Sequence, residues 1–251
     1  LFLVGINAFK RYQEIMTDVM SLPSAFTLDN IKNVFHDMKY PATFLNTLIA
    51  TVIGTLGIIV IASMGGYKMA RVKTRYSRFC FLFCIAPMMI PFQSFMLTLV
   101  NVATTLHING KIWGLAIIYW GLGAPMSIFL YQGFAKGIPL ELEESALIDG
   151  CNQFQLFTRI IFPMLKSCTA TVTIINVMWI WNDFLLPLLM LGGRKSSKTL
   201  QLAAYSFMGQ YKMEWQNIMS AAILIIIPAL ILYLIFQKSI IKGVVAGAVK
   251  G

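Results

Sequence analysis

Charge is what this sequence has least of. Only 12% of its 251 residues are charged, ten of them carboxylates, where a soluble domain carries about a quarter. With 58% hydrophobic residues and a mean hydropathy of +0.74, a water-soluble domain is excluded. At about 20 apolar residues per crossing, the length suits a membrane domain of roughly five or six spans. Several functional signatures are missing as well. No Gly-x-x-x-x-Gly-Lys-[Ser/Thr] loop is present to cradle a phosphate; the run Gly192-Gly193-Arg194-Lys195-Ser196-Ser197 has the residue types at the wrong spacing. The two histidines, His36 and His107, sit in polar connecting segments with no catalytic partner pattern. Cys80, Cys84, Cys151 and Cys168 make neither a disulfide framework nor a zinc-ligand set, and read as small core residues. The sequence shows no internal repeat of the kind that marks an inverted-repeat transporter, and no basic n-region and cleavage site of a signal peptide. The net charge of +10 comes without a nucleic-acid recognition motif. It is read as Lys and Arg flanking apolar runs, and nucleic acid is not an expected partner. The chain itself is expected to be no enzyme, with no metal or cofactor of its own.

What is present is a series of greasy runs. Residues 1–9 resemble the last turns of a helix whose beginning is absent, too few to cross a core of about 30 Å. Residues 10–40 are polar, with turn signals at Ser21-Leu22-Pro23-Ser24 and Leu28-Asp29-Asn30. They read as an extracytoplasmic connection that can carry short interfacial helices. Complete spans are expected over 46–67, 79–100, 112–134, 164–191 and 218–236. Gly54, Gly57, Gly65 and Gly66 in the first of these suit close helix approach. Pro87 and Pro91 predict a kink in the second, and the third is expected to bend near Gly121-Leu122-Gly123-Ala124-Pro125. The fourth carries Asn176, Asn182 and Asp183, with Pro187 after them. Polar residues inside a span usually face a bundle interior or a wet cavity, which makes these three candidates for a translocation path. The alternatives are helix packing and, for Trp181-Asn182-Asp183, an interfacial aromatic with a solvated acid. The domain boundaries implied are 1–41, a core at 42–237 and a cytoplasmic tail at 238–251. Five basic residues, Lys68, Arg71, Lys73, Arg75 and Arg78, crowd one short loop. That puts it in the cytoplasm, together with 137–163 and the C-terminus.

The segment 137–163 is the polar exception between two apolar runs. Glu141, Glu143, Glu144 and Asp149, four of the ten carboxylates, fall within nine residues. Pro139 suits the first turn of a helix, the glutamates lie near the positive end of its dipole, and Gly150 is a natural stop. A second short segment follows to Ile161. Leu140, Leu147, Cys151 and Phe154 recur at helical steps and give one apolar stripe. Neither half can span a bilayer. The expectation is a short amphipathic hook.

Its spacing is specific. Glu144-Ser145-Ala146, then Gly150, then Ile160 and Phe162-Pro163 resemble the "EAA" loop of binding-protein-dependent ABC importer permeases, with Ser145 and Phe162 in place of Ala and Leu. Asn46-Thr47-Leu48, Tyr67-Lys68-Met69-Ala70-Arg71, Trp181-Asn182-Asp183-Phe184-Leu185-Leu186-Pro187 and the ending from Lys242 to Gly251 resemble the carbohydrate branch of that family, specifically the maltose-type second permease subunit. The resemblance implies an all-α polytopic membrane protein, the transmembrane domain of a type I ABC importer, with six helices of which the first is incomplete here. It implies a bacterial cytoplasmic membrane and a heterodimer with a second permease. It also implies two cytoplasmic ATPase subunits that hold ATP and magnesium, and an extracytoplasmic sugar-binding protein, whose sugar cleft the outer segment between the last two spans would probe. Residues 137–163 would be the coupling helix, with Glu143, Glu144, Ser145, Ala146, Asp149, Gly150 and Pro163 at the ATPase; Gly247 and Lys250 in the tail would reach the same subunits. Transport of a sugar, expected to be an oligosaccharide, would proceed by alternating access. A second reading from the residues alone is an ATP-independent channel or secondary transporter with Asp183 as an ion site. A third is a membrane scaffold whose hook only binds a partner.

Overall fold

The computed structural model describes residues 2–192, 197–209 and 213–248, and side chains as far as Ile231 together with Leu234. Helices dominate throughout, and the described residues contain no β-strand beyond the isolated bridge Met208–Met213. Two helices, Tyr40–Arg71 and Ile112–Lys136, are each long and apolar enough to cross a membrane. At 1.5 Å per residue, the 25 residues of the shorter one cover more than the roughly 30 Å hydrocarbon core. Two further spans come as bent pairs. Arg75–Met89 meets Phe92–Thr105 at 107°, and Gln153–Met164 meets Lys166–Asn182 at 75°. The last helix runs Trp215–Ala248.

Proline accounts for where these helices break. Ile90, held at φ −100° and ψ 120°, is extended because the ring of Pro91 disfavours the helical region for the residue before it. The kink expected in 79–100 is therefore a full turn of the chain. The span expected over 164–191 is corrected too: the helix ends at Asn182 and a new one runs Leu185–Leu191. Pro187 has no N–H for the carbonyl of Asp183, so the helix cannot continue through it. In the first turn of the new helix that missing N–H costs nothing. Pro228 sits inside Trp215–Ala248 and leaves the carbonyl of Leu224 without its intrahelical donor. The Tyr40 hydroxyl fills the place, donating to that carbonyl at 3.0 Å. The helix continues past 238, where the tail was expected to begin, so Gly247 lies in helix. Lys250 lies outside the described residues.

The chain forms two compact units. One comprises Leu1–Ala50, Ile108–Leu115 and Trp181–Ile235. Its core gathers Val34, Met38, Trp181, Leu200, Phe207 and Ala221. Trp181 is 1% exposed and meets the Phe44 ring edge-on at 5.7 Å, so it packs inside this unit. The polar segment before it carries short helices at Phe2–Asn7, Tyr12–Thr17 and Asp29–Asp37. Buried Asn7 donates to the Leu3 and Val19 carbonyls, and the buried Lys10 ammonium donates to the Asp18 carbonyl and the Ser21 hydroxyl.

The other unit comprises Thr51–His107, Ala116–Ile180 and Phe236–Gly251. Within it the helices Tyr40–Arg71 and Ile112–Lys136 pack at backbone distance. A Cβ on Gly66 would lie 2.7 Å from the Tyr131 Cβ and 3.0 Å from the backbone of Ile128 and Gln132. Gly57 makes room for the Trp120 indole, which donates to the Ile53 carbonyl at 2.9 Å. Gly65 does not share this role, since a Cβ there would meet nothing within 4 Å. The neighbouring glycines therefore separate by mutation. Gly66→Ala should cost about 1–3 kcal/mol by overpacking against backbone that cannot move aside, while Gly65→Ala should cost nothing. Apparent melting of the two purified variants checks this.

Candidate functional site

The hook is two short helical pieces joined by a tight reversal. The first helix runs Glu141–Ile148, with Leu140 at the N-cap position and Glu141, Glu143 and Glu144 in its first turn. Pro139 therefore precedes the cap instead of sitting inside the helix. Gly150 adopts φ +86°, which glycine reaches without the Cβ penalty. The Gly150 N–H bonds the Leu147 carbonyl and the Cys151 N–H bonds the Ala146 carbonyl, at 3.1 and 3.0 Å. This double closure ends the helix and sends the chain back. Asn152 restarts it two residues later: its side chain accepts from the Gln155 N–H while the Gln155 side chain accepts from the Asn152 N–H, a reciprocal cap. A π-helical turn, Leu156–Ile161, then leads to Pro163, which has no N–H for the Arg159 carbonyl.

The three glutamates face different ways. Glu141 and Glu144 are exposed, but Glu143 is turned inward and 8% exposed. Its Oε1 accepts from Arg71 Nε at 2.5 Å and its Oε2 from the Tyr67 hydroxyl at 2.8 Å. Arg71 Nη2 donates at 2.9 Å to the Ile138 carbonyl, at the entry to the hook. The same tyrosine reaches the second piece, its ring 5.7 Å from that of Phe157, which in turn lies 5.9 Å from Phe162. Both pieces are thus fastened to one place, the end of the helix Tyr40–Arg71. Apolar anchors complete the seat, with Ile138, Ala146, Leu156 and Ile161 all buried.

The opposite face is open. Ser145, Asp149, Gly150 and Pro163 are exposed. Leu140 and Leu147 from the expected stripe are exposed as well, Phe154 is 69% exposed and Ile148 86%. Cys151 is only half-buried. The stripe does not pack into this chain's own core. It forms an outward apolar surface with Glu144 and Asp149 beside it.

The structure thus brings the seven hook residues together, but splits them between two roles. Glu143 and Ala146 hold the hook in place; Glu144, Ser145, Asp149, Gly150 and Pro163 lie on its outer side. Asn176 belongs elsewhere in the same unit. It is buried, with its amide donating to the Ser127 hydroxyl at 3.1 Å and to the Val172 carbonyl at 2.8 Å. Asn182 and Asp183 belong to the other unit. Asn182 is exposed, and half-buried Asp183 accepts from the Leu185 N–H at 3.1 Å, at the start of the helix that follows. No cluster of three or more metal-ligating residues occurs among the described residues. Tyr67 and Arg71 are functional residues that sequence reasoning treated only as the closing motif of a span and as orienting charge. Their four-residue spacing puts them on one helix face, the one signal of their pairing that the sequence carried.

Comparison with known proteins fits this geometry. Residues 57–245 match the family described as binding-protein-dependent transport system inner membrane component; the chain belongs to that family, a group of membrane permease subunits that are not themselves enzymes. It is 38% identical over 249 residues to the "Probable starch degradation products transport system permease protein AmyC" of Thermoanaerobacterium thermosulfurigenes, covering 99% of this chain and 90% of that one. It is 37% identical to the "Multiple sugar-binding transport system permease protein MsmG" of Streptococcus mutans, covering 100% and 91%. A solved bacterial ABC transporter involved in import of the acidic polysaccharide alginate shares the fold, with a TM-score of 0.79 at 21% identity over 94% of this chain and 88% of that one. The architecture is accordingly the type I importer transmembrane fold.

The two adjacent glutamates should behave differently. Glu143→Ala strands the Arg71 guanidinium in a largely buried site and should cost about 3 kcal/mol. Glu144→Ala, on the exposed side, should leave stability within about 0.5 kcal/mol of the parent. Thermal unfolding of the two variants side by side measures the difference.

Proposed function

We propose that this chain is one permease subunit of an ATP-driven importer for sugars, coupled to its ATPases through residues 137–163. The observation that carries the reading is the division of the hook into a fastened side and an open one. Glu143, Arg71 and Tyr67 fix it to the end of a membrane-spanning helix, while Glu144, Asp149 and a row of apolar side chains stay exposed. A partner that grips the open side therefore moves the span with it. ATP and magnesium reside on the gripping subunits, since this chain has no phosphate loop. Two such ATPases, a second permease of the same family and an extracytoplasmic sugar-binding protein complete the assembly. The basic loop 68–78, the hook and the C-terminus face the cytoplasm, and the tail that carries Gly247 and Lys250 contacts the ATPases. Closure of the ATPase pair then switches the spans between inward-open and outward-open states.

Oligosaccharides are the substrate class best supported. The relatives are named for starch degradation products, for multiple sugars and, at 32% identity, for melibiose, raffinose and stachyose import in Bacillus subtilis. Of the three polar residues in the fourth apolar run, Asn182 is exposed and Asp183 half-buried, and these two are proposed to meet sugar hydroxyls. Asn176 is committed to Ser127 and Val172. The bond that Asp183 accepts from the Leu185 N–H lends no support to the ion-site reading.

Glu144→Arg tests the coupling assignment. In proteoliposomes containing the whole complex, sugar uptake and ATP hydrolysis stimulated by the binding protein should fall at least about tenfold, the change expected when one desolvated charge pair is reversed. Retained stimulation would overturn the assignment.

A further inference from the structure

We infer that the same end of the membrane domain carries a binding site for the phosphate headgroup of an anionic phospholipid. A cavity of about 1,090 Å³ opens where Tyr40–Arg71 ends and Arg75–Ile85 begins, and it extends to the start of the hook at Ile138, Pro139 and Leu140. Five cations line it, Arg71, Lys73, Arg75, Arg78 and Lys136, against a single acid, Glu141. Arg71 is already neutralised by Glu143. Lys73, Arg75, Arg78 and Lys136 are exposed and form no ion pair among the described residues. Four unpaired cations converging on one concavity make a site for a compact, multiply accepting anion. The first turn of Arg75–Ile85 adds the positive end of an eleven-residue helix.

The remainder of the lining says which source of phosphate fits. Val72, Phe81 and Leu82 form an apolar wall, and it runs on into exposed Leu82, Phe83 and Phe79 along the same helix. A soluble phosphate has no use for that wall. A phospholipid matches both parts, its headgroup among the cations and its first acyl carbons along the phenylalanines. The position agrees, because the cations sit at the ends of spanning helices, where headgroups lie, and basic pockets between spans are where anionic lipids bind. The lipid also lies beside the start of the hook, at Ile138, Pro139 and Leu140.

The test uses the complete transport complex in nanodiscs, with phosphatidylglycerol as the probe and phosphatidylcholine as the neutral comparison, read by native mass spectrometry. The parent complex should retain phosphatidylglycerol in preference to phosphatidylcholine. Lys73→Gln, Arg75→Gln and Arg78→Gln combined should weaken that retention by roughly a hundredfold, in keeping with the contribution of three basic residues near an anionic surface. The charge-keeping combination Lys73→Arg, Arg75→Lys and Arg78→Lys should preserve it, which separates loss of the site from loss of the fold. A charge-matched combination outside the cavity, Lys68→Gln, Arg159→Gln and Lys166→Gln, should also preserve it. Equal retention of the two lipids, or equal loss in both neutralised combinations, would overturn the site. Displacement by millimolar glycerol phosphate would overturn the lipid in favour of a soluble anion. Loss of the ATPase subunits from the first combination in lipid-free detergent would assign the cations to a protein partner instead.

Discussion

One ion pair decides what the rest of the hook can do. Arg71 and Glu143 meet with most of their side chains out of water, at 13% and 11% exposure. Taking both charges out of solvent costs several kcal/mol, so such a pair contributes little net stability over an apolar substitute. What it contributes is geometry. Glu143 uses both oxygens, Arg71 uses two nitrogens, and the Tyr67 hydroxyl closes the set. The carboxylate therefore has one low-energy position. The first hook helix is then fixed to the last turn of the longest spanning helix that side chains describe in full. A loop held only by apolar contacts could slide along that helix end; a loop held by directional bonds transmits a push.

The same economy of partners governs the spans. Every proline inside or beside a helix removes a donor, and in lipid an unsatisfied carbonyl is expensive. The structure answers in different ways. At Pro91 and Pro187 the helix stops and starts again. At Pro228 it continues, because Tyr40 supplies the missing donor to Leu224. At Pro163 the turn before it widens into a π-helix. Glycines settle the complementary question of how close the helices come, and Gly66 and Gly57 do so by meeting backbone and indole where a Cβ would overlap them.

The exposed side of the hook gains meaning from the fastened side. Leucine, isoleucine and phenylalanine side chains at this density on a surface mark an interaction site, and here they flank exposed carboxylates. Because the segment has a reciprocal cap, a double closure at Gly150 and an anchored acid, its outer face is shaped before any partner arrives. Preorganisation of that kind spares a docking partner much of the ordering cost.

Much of this was legible in the linear chain. Composition excluded a soluble domain, and apolar run lengths placed the spans. The prolines marked the interruptions, and the spacing from Glu144 through Gly150 to Pro163 marked the loop. Those features are local, since helix length, proline chemistry and a left-handed glycine depend on a few neighbouring residues. Tertiary structure decided the rest. Nothing in Glu141, Glu143 and Glu144 as a run says which one turns inward; that depends on Arg71 and Tyr67, some seventy residues earlier in the chain. Likewise the periodicity of Leu140, Leu147 and Phe154 was visible, but not that it points outward. A helical stripe records only that one face is apolar, and the packing around it determines whether that face is covered by its own chain or left for another. The hook as a polar interruption was a property of the sequence, while its fastening to the end of a spanning helix required the fold to bring one buried acid to one arginine.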